Sequence, residues 1–205
     1  AHTAATSKNT TISDTSNIKP ATDMKLYIVA ANALDLSKQS SVTSIGFTTT
    51  GSRAVKVLKT GQTASYAAND DGTYQKGTTR SYVRNGANGI VTDNVTGLQW
   101  QDNAVGSAVN WTTATTTTCQ ALNIGGYTDW RLPTETELST LQDYGRFNPA
   151  MDTTFVNAAA NYYWSSTSYA ADTTNAWNVN FDNGNVNNND KGNSNYVRCV
   201  RGNDV

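Results

Sequence analysis

The side chains in this chain best placed to do chemistry are amides. Between Trp164 and Cys199 stand Asn175, Asn178, Asn180, Asn183, Asn185, Asn187, Asn188, Asn189, Asn193 and Asn195. Each amide offers two donors and one acceptor oxygen, a set that recognises hydroxyls, peptide groups and other amides without forming a covalent bond. Asparagine fits a strand interior poorly and turns well, so one reading of the tract is turn formers and solvated strand faces. The other is a polar surface held rigid by apolar anchors for a ligand. On that reading the binding residues are Asn178, Asn180, Asn185, Asn187, Asn189 and Asn193, with Tyr163 and Tyr169 as rigid amphipathic contacts. At least one of the neighbouring tyrosines (Tyr162, Tyr163, Tyr169) is expected in the core.

Three other chemistries are weaker. Asp182, Asn185, Asn187 and Asp190 carry oxygen ligands at short spacing, which suits calcium. They do not follow the EF-hand spacing, however, and no cofactor is expected. Asp129, Arg131 and Glu137 could be taken for a catalytic cluster, but Trp130-Arg131-Leu132-Pro133 reads better as packing around a helix start, with Arg131 paired to a carboxylate. Asp70-Asp71-Gly72 reads as a turn. The one histidine, His2, lies near the N-terminus, so no zinc set can be assembled, and no Ser/His/Asp set, phosphate-cradling loop or cofactor fingerprint occurs. The expectation is a protein that is not an enzyme.

Cys119 and Cys199 are the only cysteines. They are either a bridge tying the middle of the domain to its end or two buried thiols. A bridge across a loop of this size contributes about 4 to 5 kcal/mol in the chain-entropy estimate. Composition favours the oxidising reading: the chain is rich in Thr, Ser, Asn, Ala and Gly, with a mean hydropathy of −0.53, as in secreted and surface-exposed bacterial proteins.

These residues need elements to hold them. Residues 1–22 are a Ser/Thr/Ala/Asn tail with almost no apolar side chains, expected to order only against its own domain or a neighbouring copy. Residues 23–59 read as a small β-rich module, from the apolar run Met24–Leu36 and the alternating segments Val42–Phe47 and Arg53–Leu58. Residues 60–80 are turn-rich and read as a linker wrapped on the surface, and the main domain covers 81–205. Within it, strands are expected at Tyr82–Arg84, Ile90–Asp93 and Gly97–Gln101, with turns at Asn85-Gly86 and Asn88-Gly89. A helix capped by Asn110 over Trp111–Leu122 is weakened by its threonine run. A second helix is marked by the Thr134/Glu137 capping box, by Leu138 and Leu141, and by Gly145 as its stop. Tyr163–Ser165, the alternation Trp177, Val179, Phe181, the Asp182-Asn183-Gly184 turn and a return strand at Val186 complete the set. In that alternation the apolar residues face inward, so Asn178 and Asn180 are expected to face outward.

The 205 residues suffice for one principal core. Charged residues make up 15% and the net charge is −1, too little positive charge for a nucleic-acid or anionic-membrane surface. No apolar run is long enough to cross a bilayer. The start at Ala1 without an initiator methionine fits a mature chain after secretory cleavage.

Four motifs in order, Val91 to Trp100, Gly126 to Leu138, Trp164-Ser165-Ser166 and Val197 to Arg201, resemble the C-terminal domain family of the Legionella collagen-like adhesin, over about Thr60 to Gly202. The resemblance implies an α+β, C-type-lectin-like fold with two helices and small antiparallel sheets. It also implies a Cys119–Cys199 bridge from helix to last strand. Family members act as surface adhesins, some trimeric, and related folds serve as variable ligand-binding proteins of diversity-generating retroelements, which the Asn175–Asn195 tract resembles. A likeness to formylglycine-generating enzymes would need a reactive thiol pair, whereas both cysteines here are better assigned to the bridge. The expected function is extracellular display of the Asn/Tyr face to a glycan or protein ligand, with self-association as a trimer or head-to-tail array. The alternative is a subunit of an extracellular filament or surface layer, joined through the N-terminal tail adding as a strand to the next copy.

Overall fold

The computed structural model describes residues 57–202, which belong to one unit, Thr50–Val205. The expected tail at 1–22 and nearly all of the module at 23–59 lie outside the described residues. In chain order the elements are α1 (Asp71–Tyr74), β1 (Tyr82–Asn85), β2 (Ile90–Asp93), β3 (Gln99–Gln101), α2 (Trp111–Thr113), a π-helical stretch (Ala114–Thr118), α3 (Glu135–Ser139), β4 (Tyr162–Ser168), β5 (Asn175–Asn180), β6 (Asn185–Asp190) and β7 (Val200–Arg201). They form a mixed α+β structure with two small antiparallel sheets, ordered β1-β2-β3-β7 and β4-β5-β6.

Polar side chains shape the local turns. Buried Asp93 accepts from the Val95 amide at 2.8 Å and the Thr96 hydroxyl at 2.7 Å, and Gly97 at φ 81° closes the loop that returns Leu98 and Trp100 to the core. In α3 the capping box forms as expected: the Glu137 amide donates to Thr134 Oγ1 at 3.2 Å and the Thr134 amide to Glu137 Oε2 at 2.8 Å. The helix stops at Ser139, well before Gly145. Gly145 is instead a point of close approach, where an added Cβ would collide with the Gly61 carbonyl oxygen. Asn110 caps α2 through the Thr113 amide at 2.9 Å, yet only one α-turn follows. Thr115, Thr116 and Thr118 turn their hydroxyls back onto the carbonyls of Trp111, Thr112 and Thr113, and the expected helix to Leu122 becomes a π stretch and turns.

The expected linker at 60–80 is stitched to the domain. Arg80 donates to the carbonyls of Lys59 at 2.6 Å and Thr140 at 3.4 Å and also to that of Gln142, while the Tyr144 amide donates to the Thr60 carbonyl at 2.8 Å. The Asp70-Asp71-Gly72 turn is the start of α1, with Asp70 accepting from the Thr73 amide at 2.9 Å. The amide of Tyr66, followed by the other hydrogen bonds it accepts, holds the Asp70 carboxyl far below the usual range.

The three-stranded sheet is covered on both faces at β4 and β5. Tyr163 and Val179 on one face, with Phe181 just beyond β5, join Trp100, Leu138, Leu141 and Met151 in one core cluster. Trp164 and Ala176 on the other join Ala114, Trp130, Leu132 and the bridged cysteines in a second. The Cys119–Cys199 disulfide spans 80 residues of chain with Cα atoms 5.5 Å apart, worth about 4.5 kcal/mol in the loop-entropy estimate before any strain.

Candidate functional site

Directly opposed residues in neighbouring antiparallel strands share a face, so the register sorts the amides. Asn178 opposes Trp164 and Asn187, Asn180 opposes Tyr162 and Asn185, and Ala176 opposes Asn189. That face is packed at its centre by Trp164 and α2, whose Trp111 indole donates to the Ser165 carbonyl at 2.8 Å. The expectation that Asn178 and Asn180 face solvent is therefore corrected: they are only 1% and 8% exposed. The outward assignment assumed a sheet with one wet side, as many antiparallel sheets have; here both sides are covered at the Asn178–Asn180 end of β5. Asn180 accepts from the Asp182 amide at 2.9 Å, and the Asn178 amide group has no hydrogen-bond partner among the described residues.

The amides that reach the surface belong to the edge strand and to the turn after it. Asn185 is exposed, Asn187 and Asn189 are half-buried, and Asn193 is exposed. Asn193 Nδ2 donates to Asn189 Oδ1 at 2.7 Å, which fixes both amides, while the Asn185 and Asn187 side chains make no hydrogen bonds among the described residues. The two tyrosines part company. Tyr163 is buried, its hydroxyl accepting from the Ala159 amide at 2.8 Å and its ring edge-on to Phe181. Tyr169 is half-buried, 5.1 Å from the Trp177 ring. Trp177 opposes Asn188, so Tyr169 belongs with the other face of the sheet, where Asn175 Nδ2 donates to Asn188 Oδ1 at 3.1 Å. The eight candidates thus divide into a buried trio, an outer amide row and one tyrosine across the sheet.

Of the possible calcium ligands, Asp182 lies in the β5–β6 turn, while Asn185, Asn187 and Asp190 are strung along the extended β6. At about 3.4 Å per residue Asn185 and Asp190 stand roughly 17 Å apart, and they project to opposite faces. Asp190 Oδ1 accepts from the Gly192 amide at 2.7 Å. The supposed catalytic cluster resolves into two ion pairs. Arg131 reaches Glu137 through both guanidinium ends, at 2.8 and 2.6 Å, and Arg201 reaches Asp129 at 2.7 and 3.1 Å. Burial raises the Glu137 pKa, but the bonds from Arg131 and the Thr134 amide outweigh it and hold the carboxyl below its ordinary value. Asp129 is lowered chiefly by its bond to Arg201.

One polar centre escaped the sequence reading. Asp102, fully buried, accepts from Arg84 Nε at 2.7 Å, from Arg198 Nη1 at 3.1 Å, and from the amides of Val156 and Asn157 at 3.1 Å each. Arg198, itself 2% exposed, also donates to the carbonyls of Gln101 at 2.5 Å and Asn157 at 2.7 Å, and lies 5.0 Å from the Phe155 ring centre. The signal available was the lone arginine set among the apolar residues of Val197-Arg198-Cys199-Val200, since an arginine buried there needs a carboxylate.

The geometry of the turns, the capping box, the disulfide and the buried arginine occupies the same stretch as a known domain: the Lcl C-terminal domain family matches residues 89–201. The chain belongs to that family. The Lcl C-terminal domain here includes β2 through β7 and both cysteines, while β1 and the stitched segment before it precede the match. No curated protein matches the chain.

Proposed function

We propose that this Lcl C-terminal domain is a non-catalytic recognition module of an extracellular, adhesin-type bacterial surface protein. Its ligand surface is the amide row of the edge strand, Asn185, Asn187, Asn189 and Asn193. One observation carries this reading: on β6 the outward amides have few or no protein partners, while the sheet beneath them is packed on both faces. A rigid platform with unengaged donors and acceptors recognises a glycan or a protein loop by hydrogen bonding, without the ordering cost of a flexible site. The disulfide suits an oxidising compartment, and family membership supports the surface role.

The test is binding of the full chain to an immobilised panel of glycans and extracellular-matrix proteins, repeated with Asn187→Ala/Asn189→Ala/Asn193→Ala. Binding should fall at least tenfold with unchanged thermal stability. Undiminished binding by the triple variant refutes the assignment of this face.

A second reading, a filament or layer subunit, is favoured by the edge of β6. Strand β4 has part of its outer edge covered, through the Tyr196 amide donating to the Tyr162 carbonyl at 2.9 Å, whereas β6 pairs only with β5 among the described residues. An open edge can accept a strand from another copy. Electron microscopy of the full chain and of a variant lacking residues 1–22 decides it, since equal assembly by the two rejects the tail as the donated strand.

A further inference from the structure

We infer that a groove beside the β5–β6 turn binds a neutral pyranose ring. The groove is separate from the amide row, and the inference does not depend on that row being a ligand surface. It encloses about 470 Å³ within residues 145–158, a volume suited to one or two sugar rings.

Its composition is unlike an ordinary surface dip. Phe147 is 83% exposed and Val156 is 63% exposed, and both line the groove, with Met151 buried beneath. Single exposed apolar residues are common, but here an aromatic and an aliphatic side chain line the same concavity. Around them stand planar polar groups with unused bonding capacity. Arg146 engages Asp143 only through Nε at 3.2 Å, which leaves both terminal nitrogens without a partner among the described residues. Asp152 uses Oδ1 for the amide and hydroxyl of Thr154, at 2.8 and 2.7 Å, and leaves Oδ2 without one. The Asn148 side chain makes no hydrogen bond there either, although its backbone amide is anchored to the Asp182 carbonyl at 2.8 Å.

A pyranose has the complementary surface: one face of C–H groups to lie on an aromatic ring, and an equator of hydroxyls that donate and accept in pairs. Carboxylate, guanidinium and amide are the groups that meet vicinal hydroxyls two at a time. One arginine and one aspartate leave the groove without net charge, so it selects neither a sulfated or carboxylated sugar nor a cation. A second copy of the chain covering Phe147 would have to desolvate Arg146 and Asp152 as well, which is costly unless each finds a partner.

The test is a nuclear magnetic resonance titration of the full, isotopically labelled chain with glucose, galactose, mannose and N-acetylglucosamine in turn. At least one sugar should produce saturable shifts confined to amides of residues 145–158 and the adjoining turn. Phe147→Ala and Asp152→Asn should each weaken it by about tenfold or more, while Asn187→Ala/Asn189→Ala leaves it unchanged. Because Phe147 is largely exposed, its truncation leaves the fold intact, and unshifted core amides verify this. Absence of saturable shifts with all four sugars overturns the inference. So does binding that maps to β6 and survives Phe147→Ala, a result that instead supports the amide row. Shifts at residues 145–158 that depend on protein concentration alone, and vanish in Phe147→Ala, would assign the groove to self-association and also overturn it.

Discussion

Replacing Asp102 by alanine removes the acceptor on which four donors converge: Arg84, Arg198 and the amides of Val156 and Asn157. Arg84 keeps 23% of its side chain exposed and can turn to water. Arg198, 2% exposed, cannot; it retains the Gln101 and Asn157 carbonyls but loses its counter-charge. Breaking a buried pair in this way costs about 3 to 5 kcal/mol, and the two orphaned amides place the expectation toward the upper end of that range. With a urea slope of about 2 kcal/mol/M, the midpoint of the disulfide-intact protein should drop by roughly 2 M. The coupling is the sharper test. In a cycle of Asp102→Ala and Arg198→Met the second substitution should cost about 2 kcal/mol less when Asp102 is already gone. Urea unfolding followed by tryptophan fluorescence measures all four corners. Additive costs, or an Asp102→Ala variant within 1 kcal/mol of the parent, would refute the view that this pair clamps the 155–158 segment to the chain leading into β7.

Reducing the Cys119–Cys199 bridge, or replacing both residues by serine, should lower stability by about 3 to 4.5 kcal/mol in the same assay, and an unchanged midpoint would show that the bridge constrains nothing. Gly145→Ala should cost about 1 to 3 kcal/mol by overpacking against the Gly61 carbonyl, measurable as a lower melting temperature. The depressed Glu137 carboxyl contributes stability that is fully present above the unfolded carboxylate pKa and is lost as pH falls through the lower folded value. Glu137→Gln should therefore flatten the acid limb of the stability profile below about pH 4, and superimposable limbs would contradict the sign.

What could be read beforehand was local. The capping box needs only Thr134 and Glu137 three residues apart. The turn between β1 and β2 needs only Asn85-Gly86 and Asn88-Gly89, and the hairpin of β5 and β6 comes from alternation about Asp182-Asn183-Gly184. Three features set by distant packing were not legible. The alternation of Trp177, Val179 and Phe181 signals one buried face, but whether the opposite face is also covered depends on Trp111 and the π stretch more than 50 residues earlier, and that decided the fate of Asn178 and Asn180. Gly145 looked like a helix stop because nothing in its neighbourhood announces that the chain near Gly61 passes within van der Waals distance. Asp102 meets Arg198 across 96 residues, a spacing that carries no periodic signal.

The same packing favours the margin of this domain for the recognition proposed above. Asn178 and Asn180 sit where a change in volume or polarity is felt by Trp164 and the second core cluster, so most substitutions there carry a cost of core magnitude. Asn185 and Asn193 are exposed and Asn187 is half-buried, and replacements there of similar strand or turn preference stay within about 0.5 kcal/mol. Binding specificity carried by the outer amides can therefore change without loss of the fold, whereas specificity carried by the inner ones could not. A display library randomised separately at the two sets would measure the difference directly. The outer set should return folded, disulfide-bonded protein for most residue types and the inner set for few, and equal tolerance would mean that the two-sided covering of β5 does not control which asparagines are free to bind.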